Sequence, residues 1–256
     1  MNKVLAFSSF SSALLLLLVT TSVSITPPVS SAYGQQTGQT TVSGQNSPVT
    51  LISKARSLIE KKNFPVAVRY LTEALKQSPR ATEAYLLRGQ AFDKMGFPMK
   101  ALQDLNKYVE LRPNDLEGYI SRADTNNFNL DHKAAVEDYN RALQLVPDSR
   151  PALLGRGIAY AGLENYDLAI RDYETVLSMY PWDHEALVNL GMAFALSGKK
   201  ESALKSFNKA LQVEVDPAWR ARISSMVDQI SVATKSEKPK PRGPTRSPIN
   251  KETGMW

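Results

Sequence analysis

A spacing of 34 residues, repeated along the middle of the chain, constrains the fold more than any other feature. Three rows of prolines or small residues keep this interval: Pro79, Pro113, Pro147 and Pro181; Ala67, Ala101, Ala135, Ala169 and Ala203; and Ala55, Gly89, Ala123, Gly157 and Gly191. A row of large apolar residues follows the same period: Leu71, Leu105, Tyr139, Tyr173 and Phe207. Agreement among several rows over about 170 residues predicts an array of similar units.

Each unit contains two segments with apolar residues at helical spacing. In the unit that starts at Arg150, the predicted helices cover residues 151–161 and 166–179. We expect the small row to face the alanine row where the two helices approach, and the bulky row to fill space against the next unit. The proline then ends the unit. One helix hairpin cannot bury both of its faces, so the units must stack into an all-α solenoid.

The residues at the repeating positions resemble the tetratricopeptide repeat (TPR) family. They are Tyr85, Gly89, Phe92, Ala101, Leu105 and Pro113, and again Leu153, Gly157, Tyr160, Ala169, Tyr173 and Pro181. The resemblance implies a right-handed superhelix of about five helix–turn–helix units, at 48–81, 82–115, 116–149, 150–183 and 184–217. A terminal capping helix is predicted over residues 218–230, with Asp216 as its N-cap.

The two ends of the chain differ from this array. Residues 1–32 have the layout of a secretory signal peptide that is cleaved before Tyr33; an uncleaved membrane anchor is the alternative, since residues 4–25 are long enough to span a bilayer. Residues 33–47 are predicted to be a disordered linker, and residues 231–256 a disordered basic tail. We therefore expect a protein exported across a membrane, either periplasmic, otherwise extracytoplasmic or secreted, and membrane-anchored if the signal is retained.

The positive charge of the chain lies mostly outside the array. Residues 48–230 carry 24 Lys or Arg and 23 Asp or Glu, whereas the tail carries six Lys or Arg and two Glu. A nucleic-acid-binding domain concentrates its basic excess on the folded surface, so nucleic acid is not an expected partner. The N-terminal segment and the basic tail are the two places that could contact a membrane.

The sequence offers little that could perform catalysis. It has no cysteine, which excludes a disulfide framework, a Cys-ligated zinc and a Cys nucleophile. The two histidines, His132 and His184, belong to different units, and no nucleophile stands beside a base. We predict no catalytic residue, no metal and no cofactor; an enzyme or regulatory domain is a minor alternative.

An arginine in the first helix and an aspartate 16 residues later recur together in the three middle units: Arg88 with Asp104, Arg122 with Asp138, and Arg156 with Asp172. Both members are absent from the first and fifth units. An arginine stripe for an anionic ligand is one interpretation. The joint presence favours the other, an ion pair that joins the two helices of a unit, because an aspartate would spoil an anion site.

The resemblance also locates a binding groove, lined by first-helix residues that point away from the second helix. The residues placed there are Glu83, Leu86, Leu87, Gln90 and Asp93; Glu117, Ile120, Ser121, Asp124, Asn127 and Phe128; Leu154, Gly155 and Ile158; and Glu185, Val188, Asn189, Met192 and Leu196. This groove is acidic toward its N-terminal half and apolar toward its C-terminal half. The family's clamp on a chaperone carboxylate needs cations where this chain has Glu117 and Ser121, or Pro151 and Gly155, so that mode is not expected.

These observations leave two functions open. The first is an exported scaffold that binds a protein or peptide in its groove, in the assembly of an envelope or membrane complex. The predicted partner segment is basic at one end and apolar at the other. The second is a permanent structural subunit of a membrane-associated complex. Some apolar residues assigned to the groove are expected to pack between neighbouring first helices instead.

Overall fold

The computed structural model describes residues 47–213 and 216–236, and within them every regular element is an α-helix. The predicted signal peptide, residues 33–46 of the predicted linker and residues 237–256 of the predicted tail lie outside the described residues. The helices are α1 (Pro48–Glu60), α2 (Phe64–Gln77), α3 (Thr82–Lys94), α4 (Pro98–Leu111), α5 (Leu116–Phe128), α6 (His132–Leu145), α7 (Arg150–Gly162), α8 (Tyr166–Met179), α9 (His184–Leu196), α10 (Lys200–Ala210) and α11 (Pro217–Ser236).

Ten of these helices form five hairpins that stack in chain order. Each helix packs against the next one, and each first helix also packs against the first helix of the following unit. The first helices α1, α3, α5, α7 and α9 therefore form the inner, concave layer, and the second helices form the outer layer. All five predicted units begin at the first residue of their first helix, and Asp115, Ser149 and Asp183 are the N-caps of α5, α7 and α9.

The turn inside every unit contains one residue in the left-handed region of backbone conformation. These residues keep the 34-residue spacing: Lys62, Gly96, Leu130, Glu164 and Gly198, with φ of 56°, 76°, 64°, 61° and 79°. Glycine adopts this conformation readily, whereas the Cβ of other residues makes it costly. The other turns join one unit to the next, and the proline row lies in them, two residues after the ends of α2, α4, α6 and α8. These two sets of turns lie on opposite edges of the stack.

Close contacts explain why the small row must stay small. A Cβ added at Gly157 would lie 2.5 Å from the Tyr173 ring, and one added at Gly89 would lie 2.8 Å from Leu105 Cγ. The bulky side chain of each second helix thus packs onto the small residue of its own unit. The sequence predicted that the bulky row packs against the next unit, and Tyr139 does this as well, because its ring meets Gly155.

The C-terminal end departs from the predicted boundaries. Helix α10 has 11 residues where the other second helices have 14, and α11 continues to Ser236 rather than ending at Ile230. The first proline after Pro217 is Pro239, so nothing in residues 231–236 breaks the helix, and the predicted tail began too early. The Asp216 carboxylate accepts a hydrogen bond from the Ala218 N–H at 2.8 Å, and Ile223 is fully buried against the last hairpin.

Candidate functional site

The concave layer contains the predicted groove residues, but several of them are not accessible. Residues buried between the first helices are Leu86, Asn127, Leu154, Gly155, Val188, Asn189 and Met192. The prediction that they line an open groove is wrong for these positions, because neighbouring first helices pack directly on one another and close over their inward-facing apolar side chains. The apolar C-terminal half of the groove is therefore largely core. Ile158 and Leu196 remain partly exposed.

The polar half of the groove is open to solvent. Glu117, Asp124 and Phe128 on α5 and Glu185 on α9 are exposed, and the other groove residues of intermediate exposure are Leu87, Ile120, Glu83, Gln90, Asp93 and Ser121. The Gln90 amide donates hydrogen bonds to Glu117 Oε1 at 3.1 Å and to Ser121 Oγ at 3.0 Å, which connects the second and third units across the concave surface. Phe128 is the last residue of α5, so it lies where the groove meets the turn of the unit.

Most acidic groups of the groove have a cationic neighbour. Glu83 accepts a hydrogen bond from Arg56 of the first unit. Glu185 accepts one from Arg150 Nη2 at 3.2 Å. Asp93 lies 3.8 Å from the ammonium group of Lys94. These pairs neutralise much of the acidic character that the sequence predicted for the groove.

Asp124 differs because its partner is a neutral hydroxyl group. Tyr139 Oη, on α6, donates a hydrogen bond to Asp124 Oδ1 at 2.5 Å. The Tyr139 side chain is only 1% exposed, so it is a fixed support beneath an accessible carboxylate. A Cβ at Gly155 would lie 2.3 Å from Tyr139 Cζ, so only glycine in α7 leaves room for this ring. Three helices from two units thus position one carboxylate.

The surroundings of Asp124 raise its pKa to about 6. The main cause is lost hydration, since the concave walls crowd the carboxylate although its side chain still reaches the groove. The negative charges of Asp93 and Glu185 raise this pKa further, whereas the Tyr139 hydrogen bond and Lys94 oppose the shift. The pKa of the Tyr139 hydroxyl is raised well above its ordinary value, chiefly by burial. The charge of Asp124 therefore changes between pH 5 and 7.

The same unit contains a second polar contact that the sequence did not predict. His132 Nδ1 and Asn127 Oδ1 share a hydrogen bond of 2.6 Å, and the Asn127 amide donates to the Gly155 carbonyl at 3.4 Å.

The sequence placed Tyr139 only in the row of bulky residues and did not predict its contact with Asp124. The available signal was that the third unit alone combines a tyrosine in that row with an aspartate at the matching groove position.

The structure brings each arginine together with its aspartate. Each guanidinium donates through Nε and Nη2 to both carboxylate oxygens: Arg88 to Asp104 at 2.7 and 2.8 Å, Arg122 to Asp138 at 2.8 and 2.6 Å, and Arg156 to Asp172 at 2.9 and 2.7 Å. The aspartate side chains are 5–8% exposed. Because both donors are occupied in this way, these arginines do not form an anion-binding stripe.

The third donor of each arginine extends the contact to the preceding unit. Nη1 reaches Thr72 Oγ1 at 3.1 Å from Arg88, Asn106 Oδ1 at 2.9 Å from Arg122, and Asn140 Oδ1 at 2.7 Å from Arg156. Each arginine therefore joins three helices: its own, the second helix of its unit and the second helix of the unit before. Hydrogen bonding to the aspartates raises the pKa of Arg122 and of Arg156. We call these three contacts the arginine clamps.

The described part of the chain contains no group of three or more His, Asp or Glu residues that could hold a metal ion. Among those same residues, no helix is long and apolar enough to cross a bilayer. His132 and His184 each begin a helix, and His184 packs edge-on against Trp219 with ring centroids 5.8 Å apart.

A concave stack of helix hairpins with an accessible polar inner surface defines a class of protein-interaction scaffold. The particular family follows from the sequence match: the tetratricopeptide repeat profile matches residues 52–116, 128–174 and 154–219. The chain belongs to the tetratricopeptide repeat family.

Similar proteins agree with this assignment. Hsp70-Hsp90 organizing protein 2 of Arabidopsis thaliana is 34% identical over 70 residues, which are 27% of this chain and 12% of that protein. This chain therefore spans between 11% and 20% of the length of the curated relatives it matches. A crystal structure of the MamA protein has a TM-score of 0.60 at 26% identity and covers 66% of this chain and 98% of its own. The crystal structure of PilW, a type IV pilus biogenesis factor, has a TM-score of 0.67 at 19% identity and covers 74% of this chain and 88% of its own.

Proposed function

We propose that this chain is an exported scaffold that binds a basic segment of a partner protein in its concave groove, in the assembly of an envelope or membrane complex. Asp124 carries the proposal. Asp124 is an exposed residue in the third of five units, its carboxylate is held from below by the buried Tyr139, and its hydrogen-bond partner is a hydroxyl group rather than a cation. A partner lysine or arginine would supply the missing positive charge.

The neighbouring groups suit a cationic side chain. The negative charges of Asp93 and Glu185 both act on Asp124, and Glu117 is exposed two turns earlier on the same helix. Such a field guides a basic segment to the groove and sets its direction more than it adds affinity. Partly exposed Ile120 and Ile158 offer the apolar contact beside Asp124, in place of the buried residues that the sequence proposed.

Two further observations support the type of partner and the compartment. The relative from Arabidopsis thaliana is named as an organizer of Hsp70 and Hsp90, which supports a protein as the partner. Export is proposed from the short basic start, the apolar stretch and the small residues before Tyr33.

The test uses partners isolated from the native envelope fraction and matched charge variants. Asp124→Asn with Glu117→Gln removes two negative charges from the groove. Glu137→Gln with Glu174→Gln removes two from exposed positions on the outer helices α6 and α8. The groove variant is expected to slow association about tenfold at low salt, and less at high salt, because screening shortens the field. The outer variant is expected to bind at the wild-type rate.

The proposal fails if the two double variants bind alike while both keep the wild-type melting temperature. A complex of fixed ratio that forms with either variant and resists high salt would instead favour the permanent structural subunit. Binding through the groove should also weaken as the pH falls through about 6, because protonation removes the charge of Asp124. Asp124→Asn should abolish that dependence.

A further inference from the structure

The turns inside the units form one edge of the stack, which we call the turn edge. It consists of residues 61–63, 95–97, 129–131, 163–165 and 197–199, together with the helix ends that flank them. The opposite edge holds the turns that join one unit to the next. The two edges differ in which side chains they present to solvent.

Exposed large apolar residues are concentrated on the turn edge. Nine such residues occur in the described part of the chain, and five of them belong to this edge: Phe97, Met99, Phe128, Leu130 and Leu168. Met99 is 72% exposed and Leu130 is 66% exposed. Isolated exposed apolar residues need no explanation, but a row of them at the tips of successive turns does.

Leu130 also has a backbone conformation that is unfavourable for a leucine. Its φ is 64°, in the left-handed region, at the repeat position where the second and fifth units have Gly96 and Gly198. A leucine there is strained and gains little packing, because most of its side chain faces water. A residue that costs stability and does not serve the core is a candidate for function.

Lysines flank the first three turns, and the second and third of these turns also carry four of the exposed apolar residues. Lys61, Lys62, Lys94, Lys100 and Lys133 are all exposed. Among the nearby acids, Asp131 accepts a hydrogen bond from the Ala134 N–H as the cap of α6, and Asp93 is a groove residue beside Lys94. The fourth turn has the opposite character, since Glu164 and Asp167 stand there and Lys199 donates to Asp167 at 2.8 Å. Exposed lysines beside exposed apolar residues therefore occur at the second and third turns, with further lysines at the first, whereas Leu168 at the fourth turn lies beside acidic residues.

We propose that the turn edge of the first three units rests on the anionic surface of a lipid bilayer, with Met99 and Leu130 inserted among the lipid chains and the lysines at the headgroups. Apolar side chains flanked by lysines are the combination that binds such a surface. The apolar residues belong to separate turns of successive units, which suits a deformable lipid surface better than a folded protein. This inference does not depend on what the groove binds.

The absence of cysteine from the sequence makes a local test possible. The full chain is prepared with Met99→Cys or with Asn114→Cys on the opposite edge, and each single thiol is labelled with an environment-sensitive fluorophore. With vesicles of phosphatidylglycerol and phosphatidylcholine, the label at 99 is expected to shift to the emission of an apolar environment, and the label at 114 is not. The shift should vanish with phosphatidylcholine alone. A local label is needed because residues 4–25 could hold the chain on vesicles by themselves.

Matched variants in the Met99→Cys background measure the contributions. Lys61→Gln with Lys133→Gln should raise the lipid concentration at half-maximal shift at least about tenfold, since each lysine near an anionic surface contributes several-fold. Arg80→Gln with Arg112→Gln, exposed on the opposite edge, should leave it unchanged. Leu130→Ser should raise it about fivefold or more, whereas Val49→Ser, which removes a residue 76% exposed at the other edge, should not.

Three outcomes would overturn the proposal. One is a label at 99 that stays in water while the chain sediments with anionic vesicles, since the chain would then bind through another segment. Another is equal behaviour of the turn-edge variants and their controls. The last is a label that shifts with native membranes but not with protein-free vesicles, which would assign the turn edge to a protein partner. Melting temperatures of all variants exclude unfolding as the cause.

Discussion

The three middle units and the two outer units hold their paired helices together in different ways. In each middle unit an arginine clamp joins the two helices and reaches the preceding unit. At the matching positions the first unit has Lys54 and Tyr70, and the fifth has Leu190 and Ser206, whose hydroxyl donates to its own helix at the Ser202 carbonyl. The outer units thus rely on apolar packing, completed at the C-terminal end by α11.

This difference indicates what the clamps contribute. Buried ion pairs often add little net stability over apolar packing, but they fix the geometry of the groups that they join. The clamps occur where each unit has neighbours on both sides, and they set how one hairpin sits against the previous one. The groove is built on those units, so the positions of Asp124 and Glu117 depend on that geometry.

The largest expected effect comes from breaking one clamp. Arg122→Met leaves Asp138 buried without its partner, and we expect it to lower the free energy of unfolding by about 3 kcal/mol. Leu190→Met, at the same position of the fifth unit, should cost less than about 1.5 kcal/mol because it keeps volume and polarity. Chemical denaturation of both variants measures the difference. Equal losses would show that the clamps are no different from apolar packing.

The double variant Arg122→Met with Asp138→Leu sharpens this result. If most of the loss comes from the unpaired carboxylate, the double variant should be more stable than Arg122→Met alone. A double variant that is less stable than either single one would mean that the clamp contributes directly to stability. The sequence alone does not show whether the ion pairs are buried, whereas the structure shows aspartates that are 5–8% exposed.

Crowding the contact between paired helices should have the next largest effect. Ala135 in the third unit and Ala203 in the fifth are both fully buried. Ala135→Leu should lower the free energy of unfolding by about 1–3 kcal/mol, because the clamp and two neighbouring units prevent the helices from separating. Ala203→Leu should cost less, since α10 is short and has only α11 beyond it. Denaturant unfolding compares the two, and a neutral Ala135→Leu would place the contact elsewhere.

The sequence predicted the periodic part of this molecule well and the groove only in part. Unit boundaries, helix pairs and the Arg–Asp pairs follow from repetition, because each unit must present the same surfaces to its neighbours. Whether an inward residue such as Val188 is open or covered depends on how closely two first helices approach, and the sequence does not state that distance. The sequence did not predict that Tyr139 supports Asp124, because this pair occurs in one unit only. A residue that differs in a single repeat cannot be told apart from ordinary sequence variation between repeats.

The third and fourth units differ in the hydrogen bonding of their buried tyrosines, and this difference predicts a smaller effect on stability. Tyr139 has Asp124 as acceptor, whereas the buried Tyr173 hydroxyl has no hydrogen-bond partner in the described structure and Ile158 stands at the matching groove position. The pKa of Asp124 is raised to about 6, so the folded chain holds a proton between pH 4 and 6 that the unfolded chain has lost. This group's contribution to stability is therefore present at pH 4 and is lost as the pH rises through 6.

Asp124→Asn tests that sign, because asparagine stays neutral and can still accept the hydrogen bond from Tyr139. The melting temperature of the variant relative to wild type should rise between pH 4 and pH 7. Ser121→Ala, on the same helix and without a titrating group, serves as the control and should show a constant difference. A difference for Asp124→Asn that falls with pH would mean that the carboxylate is stabilised in the folded state rather than penalised.

The smallest expected effect on stability concerns the turn residues with a left-handed backbone conformation. A middle unit has Leu130 at this position, and an outer unit has Gly198. Leu130→Gly should raise the free energy of unfolding by about 0.5 kcal/mol, because relief of the strained φ exceeds the extra entropy that glycine gives the unfolded chain. The reverse change in the fifth unit, Gly198→Leu, should lower it by about 1 kcal/mol. If Leu130→Gly destabilises the chain, the leucine has a packing role and its strain is no sign of function. If Leu130→Gly stabilises the chain and also weakens binding to anionic vesicles, then Leu130 lowers the stability of the fold and contributes to the membrane contact.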